Sequence, residues 1–426
     1  MWFAMWMILA GLIGLVWIVR LVAMRRIFRK RIVLTSRSHT DADGPTPRVS
    51  VIVAAKDEED NIATCIETLL NQDYANYEIV AVDDRSGDRT PEILDDLQSR
   101  AADRLKVIHI TRLREGWFGK NNAMREGVAA ATGEWLLFTD ADCRQLSTRT
   151  LSIAMRETLG HQCDFLSITP VLETKTWWER VLQPVCATVL IIWFLPERVN
   201  KPHTKVAYAN GAFMLIRRTC YEAIGAHDRV KTEVNEDIHL ARFTKQQGFR
   251  LRVVENEDLY TTRMYATPRE AWRGWSRIFY GSLGKPWKLA LAGAVLFLFS
   301  ILPLVALTLS TLAWAKGWGS AAQPWLPAAA LWGGVVMVQQ IVMAFVFRIL
   351  RSNIAWSLAY WLGSLATLTM LASAFLKSLG ATCTTWRGTT YQGDRLAPAG
   401  STPTPRPQSE PPPIITKPLK EPSANA

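Results

Sequence analysis

The chain has 426 residues, 49% of them hydrophobic, a formal net charge of +11 and 6 cysteines. That length allows one large domain with further structure around it, and cysteines without C-x-x-C spacing argue against a disulfide scaffold or a zinc ribbon. The basic residues gather beside apolar runs: Arg20, Arg25, Arg26, Arg29, Lys30 and Arg31 follow the first one. This is the pattern of a cytoplasmic membrane flank rather than of an arm that binds nucleic acid.

Trp2–Val19 is apolar, uncharged and long enough to span a bilayer. Basic residues stand where a signal peptide would have its cleavage site, so residues 1–24 read as an uncleaved anchor and 25–47 as a basic linker. From Arg48 the pattern changes. Val49–Ala55, Tyr77–Val82, Leu105–Ile110 and Trp135–Phe138 read as buried strands, and Asp60–Leu70, Thr90–Ala101 and Gly119–Ala131 as the helices between them. Such alternation calls for a parallel sheet covered on both faces, with ligands beyond the carboxyl ends of its strands.

Three acidic groups fall at those ends: Asp57-Glu58-Glu59, Asp83-Asp84 and Asp140-Ala141-Asp142. Residues two apart on an extended chain point the same way, so Asp140 and Asp142 can converge where their strand stops. A hard divalent cation, Mg²⁺ or Mn²⁺, takes such oxygens and completes its shell with phosphates and water. A solvated acidic turn is the alternative for a lone D-x-D, but three such groups on one edge are hard to explain by solvation. Downstream, Ala212–Ile216 reads as a strand and Asn235–Ala241 as the start of a helix. Asn235 suits its cap, and Glu236 and Asp237 suit either the helix dipole or a general base.

Val181–Leu195 is apolar but short and contains Gln183 and Pro184, which fits a buried or an interfacial helix. Leu289–Ala315, Trp325–Phe347 and Ile354–Leu376 contain no charged residue and read as three further spans within 288–377, making four in all. Basic flanks at Arg25–Arg31, Lys285, Lys288, Arg348 and Arg351 place the 48–287 domain inside, and the N-terminus and the Lys316–Gln323 loop outside. Residues 378–426 form a tail, rich in Pro, Ser and Thr and expected to be disordered from Ala397.

Taken together, Val51–Glu59, Val82–Asp88, Gly119-Lys120, Thr139–Asp142 and Glu236-Asp237 resemble the family 2 glycosyltransferases of GT-A fold, over residues 48–280. The anchor and later spans resemble the subgroup that glycosylates ceramide, hopanoid and carotenoid lipids. The resemblance implies an α/β fold with a doubly wound, mixed but mostly parallel sheet, accompanied by transmembrane α-helices. It implies inverting, metal-dependent transfer from a nucleotide-diphospho-sugar, as a rule a UDP-sugar, to a lipid hydroxyl at the cytoplasmic face of the inner membrane.

By motif, Ala54, Glu58, Asp83 and Asp84 match the nucleoside pocket, Asp140 and Asp142 the metal-diphosphate site, and Asp237 the base, with Glu236 beside it. Lys120 matches a nucleotide or phosphate contact. The chain departs from the family in having Ala54-Ala-Lys-Asp-Glu58 where Pro-x-x-Asn-Glu is usual. It also has Trp272–Arg277 where many members carry Q-x-x-R-W. Trp275 and Arg277 there are candidates for the acceptor or diphosphate site, or for an interfacial anchor. Trp386–Tyr391 resembles a tail motif of the lipid-directed subgroup. A processive polysaccharide synthase and a non-catalytic scaffold are the competing readings; the absence of Q-x-x-R-W weighs against the first and the full set of carboxylates against the second.

Overall fold

The computed structural model describes residues 2–39, 45–194, 196–318 and 325–380, and the backbone of 384–386, 389–392 and 395–396. The tail from Ala397, residues 387–388 of the Trp386–Tyr391 motif and most of the Lys316–Gln323 loop lie outside them.

A long helix, α1 (Trp2–Lys30), opens the chain and hands over through β1 (Val33–Leu34) to the sheet. The α/β region follows as β2 (Val49–Ala55), α2 (Ile62–Leu70), β3 (Tyr77–Asp84), α3 (Thr90–Arg100), β4 (Leu105–Ile110), α4 (Gly119–Ala130) and β5 (Trp135–Asp140). Next come β6 (Cys143–Gln145), α5 (Thr150–Gly160), β7 (Phe165–Thr169), β8 (Val171–Leu172), α6 (Trp177–Trp193) and the short α7 (Pro196–Val199). The region closes with β9 (Met214–Arg217), α8 (Arg218–Ala223), α9 (Glu236–Gln246), β10 (Leu251–Asn256), β11 (Tyr260–Thr262) and α10 (Pro268–Leu283). After it stand α11 (Pro286–Leu296), α12 (Leu302–Ala315), α13 (Trp325–Ile349) and α14 (Tyr360–Ser378). The strand segments β12 (Thr384–Trp386), β13 (Thr389–Gln392) and β14 (Arg395–Leu396) pair antiparallel.

The main sheet has eight strands in the order β1-β10-β7-β9-β5-β2-β3-β4. All pair parallel except β9, which runs against both neighbours. The predicted strands at Val49–Ala55 and Leu105–Ile110 have the observed bounds, and the other predicted strands and helices of this half are shifted by at most a few residues at either end. Buried apolar residues fill both faces: Val51, Val53, Leu137 and Phe213 on one side, Ile52, Phe138, Met214 and Tyr221 on the other. That burial is why the strands read as unbroken apolar runs rather than as alternating ones.

Among the described residues five helices are long and apolar enough to cross a membrane by length and composition, one more than the sequence suggested. The addition is Trp177–Val199, which contains the segment read as a buried or interfacial helix. α6 packs against α14 through a close approach at Gly363, where a Cβ would fall 2.6 Å from the Val181 carbonyl oxygen. Between α11 and α12 the helix widens into a π-turn at Phe297–Ile301, next to Pro303. Pro303 has no N–H for the Phe299 carbonyl. Side chains supply what the backbone lacks: Trp17 Nε1 (3.2 Å) and Gln339 Nε2 (2.9 Å) donate to Phe299 O, and Tyr360 Oη (3.1 Å) donates to Ser300 O. In an apolar surround an unmet carbonyl would be costly, so α1, α13 and α14 are held to this turn by polar contacts as well as by packing.

Candidate active site

The carboxyl ends of β2, β3, β5, β7 and β10 open onto one cavity of about 1210 Å³. Because β9 is antiparallel, its amino end, Asn210–Ala212, comes to the same edge. Ala54, Glu58, Asp84, Lys120, Asp140, Asp142, Glu236 and Asp237 all line this cavity, although they come from chain positions nearly two hundred residues apart. Ala54 sits opposite Asp140 in the β2–β5 register.

The loop after β2 is held by its backbone. The N–H groups of Asp57, Glu58 and Glu59 donate to Ser86 Oγ (3.0 Å), Thr90 Oγ1 (2.8 Å) and Asp88 Oδ2 (3.0 Å). Asp57 adopts a left-handed φ of 53°, and its carboxylate accepts from Gly87 N at 2.8 Å. The motif Asp84-Arg-Ser-Gly-Asp88 is therefore a clamp on the loop that carries Glu58.

Asp83 and Asp84 part company. Asp84 lines the cavity, and both its oxygens accept from Arg85, from Nε at 2.8 Å and Nη2 at 2.9 Å. Gly119 opens α4 directly against this carboxylate; a Cβ there would lie 2.5 Å from Asp84 Oδ2. Asp83 does not line the cavity. Its carboxylate accepts from Ser86 N and meets His109 Nδ1 at 3.1 Å, so of the two acids expected at the nucleoside pocket only Asp84 faces the cavity. Neighbouring residues on a strand face opposite sides, and only one of two adjacent acids can face the site. Arg85, at φ 59°, covers the Asp84 carboxylate and was not singled out from the sequence.

Lys120 bridges two parts of the site. Its Nζ lies 2.7 Å from Asp140 Oδ1 and 2.9 Å from Glu236 Oε1. Burial alone would push this ammonium down, but Asp140 and Glu236 outweigh it and hold it above the ordinary lysine range. The lysine expected to meet a phosphate is thus engaged by two carboxylates.

Two acids remain open to the cavity, with different surroundings. Asp142 is pushed up to about 7, first by burial and then by Asp140 and Glu58, against a hydrogen bond from Thr262. Asp237 is also pushed up to about 7, first by burial and then by Glu236, with Lys120 opposing. Asp237 is pinned in place: Gly211 N donates to Oδ2 at 3.0 Å and Ile238 N to Oδ1 at 2.7 Å. Asn235 stands at the cap position of α9 but makes no side-chain cap bond. Its amide instead donates to Ile278 O (3.2 Å) and Ser282 Oγ (2.8 Å) of α10, tying the catalytic loop to that helix.

Among the described residues no group of three or more His, Cys, Asp or Glu is arranged to hold a metal ion by itself. Asp142 and Asp140 nonetheless fit a divalent cation of the Mg²⁺ or Mn²⁺ kind, which needs only one or two carboxylates when a diphosphate supplies further oxygens. Burial first, and then Asp140 and Glu58, disfavour the charged form of Asp142, and a cation there would offset both.

The far end of the cavity is apolar. Pro184, Ala187, Leu190 and Ile191 of α6 line it, with Ile349 at the end of α13, Leu350 just after it, and Arg277 of α10. Trp275 lines it too, but is only 3% exposed, and its indole N–H donates to Gln183 Oε1 at 2.9 Å. Its donor is used to join α10 to α6. Tyr208, Thr262 and Tyr265 also border the site and carried no sequence signal, since each reaches it from an irregular segment or a short strand.

The profile of Glycosyl transferase family 2 matches residues 50–225. A beta-monoglucosyldiacylglycerol synthase of Trichormus variabilis is 30% identical over 205 residues, 47% of this chain and 42% of that protein. A beta-monoglucosyldiacylglycerol synthase of Synechocystis sp. is 39% identical over 203 residues, 46% of this chain and 40% of that protein. The chain thus matches less than half the length of these curated relatives. Among solved structures, a mannosyltransferase from Pyrobaculum calidifontis, in complex with GDP-Man and Mn²⁺, superposes with a TM-score of 0.52 at 19% identity. That match covers 88% of this chain and 99% of the other, and shows the shared GT-A fold. The segment similar to Glycosyl transferase family 2, residues 50–225, carries most of the sheet and the acids Glu58, Asp84, Asp140 and Asp142 of its cavity edge.

Proposed function

We propose that the chain transfers a sugar from a nucleotide-diphospho-sugar to a hydroxyl of a membrane lipid, with inversion at the anomeric carbon. The observation that carries this reading is one cavity lined both by Glu58, Asp84, Asp140, Asp142, Glu236 and Asp237 at the sheet edge and by the apolar side chains Pro184, Ala187, Leu190 and Ile191 of α6. A nucleotide sugar suits the first end and an acyl or isoprenoid chain the second. The names of the matched relatives, synthases of a glucosyl diacylglycerol, support a lipid acceptor.

Glu58 and Asp84 would hold the nucleoside, with Ala54 beneath it. Asp142 and Asp140 would hold a divalent cation, which supplies charge neutralisation for the departing diphosphate. Asp237 would take the proton of the attacking hydroxyl. Its two backbone donors fix its direction, and its raised pKa suits it to accept a proton near neutrality. Glu236, bound to Lys120, would support this base by raising it through like charge. Arg277 is placed to meet the acceptor headgroup or the diphosphate.

The reading puts the five apolar helices in or at the inner membrane, with the catalytic domain on the cytoplasmic side, as the basic flanks suggest. Whether α6 crosses or floors the cavity, it supplies the wall a lipid would touch. The experiment is mass spectrometry of lipids incubated with purified protein, nucleotide sugars and Mn²⁺. A new lipid species heavier by one hexose is the expected product. Transfer to water-soluble alcohols as readily as to lipids would remove the lipid assignment, and a polymer ladder would favour a synthase.

A further inference from the structure

A second, smaller hollow of about 160 Å³ lies where the end of α6 meets α9 and the α10–α11 junction. Phe194 and Ser282 line both cavities and separate this hollow from the active site. Lys205, Arg242 and Lys288 converge on it from three separate segments, and no acid lines it. Among the described residues none of the three is held in an ion pair. The Lys288 ammonium stands 6.0 Å from the Trp193 ring and 5.9 Å from the Trp287 ring.

Like charges gather at a common hollow at a cost unless an anion joins them. The position says which anion. Trp193 ends α6, near the end of one candidate span, and Trp287, 58% exposed, stands at the start of another, so the hollow sits at the level where tryptophans and lysines meet lipid headgroups. It has room for a phosphodiester and too little for a nucleotide sugar.

We propose that this hollow binds the phosphate of an anionic phospholipid headgroup, distinct from both donor and acceptor sites. Arg242 supplies a planar fork for two phosphate oxygens, and the lysines act as point charges. The proposal rests on the membrane placement given above, but not on the transfer chemistry.

The test is native mass spectrometry of the full chain in detergent, offered phosphatidylglycerol or phosphatidylcholine. Wild type should retain one phosphatidylglycerol in preference to phosphatidylcholine. Each cation removed should weaken retention on the order of five-fold, the equivalent of about 1 kcal/mol per basic residue near an anionic surface. The K205Q/R242Q/K288Q variant should therefore lose the lipid, while R25Q/R26Q, which lowers the charge elsewhere, should keep it. If the triple variant fails to fold, K205Q alone, in an exposed loop, should show the single step. Retention by the triple variant equal to wild type would overturn the proposal. So would equal retention of phosphatidylcholine, or full displacement by inorganic phosphate at the lipid's own concentration, which would mark a soluble-phosphate site. A protein that transfers no sugar yet retains the lipid would keep this inference and remove the preceding one.

Discussion

Asp142 and Asp237 face the same cavity, and burial raises both to about 7, yet they are built for different work. Around Asp142 the next influences are two more carboxylates, Asp140 and Glu58, and that spot gains from a cation. Asp237 has Lys120 opposing its neighbour Glu236, and two backbone N–H groups that fix its carboxylate. Lys120 opposes the rise at both, but Asp142 faces two like charges and Asp237 one, so under the proposed mechanism the first suits a cation ligand and the second an oriented base. The difference comes from the second sphere, since the side chains are identical.

The sharpest way to break this comparison is Asp237→Asn. Transfer should fall by roughly 10²–10⁴-fold, the usual worth of a positioned base, with nucleotide binding nearly intact. Unchanged turnover would remove Asp237 from the role. Lys120→Met should come next. It leaves two carboxylates facing each other without their cation, for which about 3–5 kcal/mol of stability is the expected loss. Thermal melting measures that loss. The same change should raise Asp237 further, because Lys120 is the group that lowers it.

Asp142→Asn should abolish the divalent-cation dependence of nucleotide binding, read by calorimetry with and without a chelator, and Asp237→Asn should leave that dependence in place. The pH profile sharpens the contrast. A base must be unprotonated, so kcat/KM should climb about ten-fold per pH unit below 7 and flatten above it. In Lys120→Met this limb should move to higher pH. The smallest effect expected is at Gln339→Leu, remote from both acids. Losing its donor to the Phe299 carbonyl should cost about 1–2 kcal/mol while leaving the pH limb where it was.

Much of the site could be read from the chain because it is made where regular elements stop. Glu58, Asp84, Asp140 and Asp142 follow apolar strands, and parallel strands must end on one edge, so their meeting follows from topology alone. Asp83 shows the limit. Alternation says that only one of two adjacent acids faces the ligand, but choosing between them needs the partner on the other side, here His109 on β4. Lys120 was placed in the site for the right reason of position, yet its partners Asp140 and Glu236 come from β5 and α9. Trp275 was considered for the acceptor, and its donor is taken by Gln183, 92 residues away.

The amino-acid sequence by itself determined the alternation of strands and helices, the row of acids at strand ends and the apolar helices, because each depends on neighbours a few residues apart. Tertiary structure alone decided which acids face the cavity and which are covered, that α6 lines it, and that Lys205, Arg242 and Lys288 share a hollow. Electrostatics and solvation act through space over several ångströms, and the groups that set them here lie tens to hundreds of residues apart along the chain.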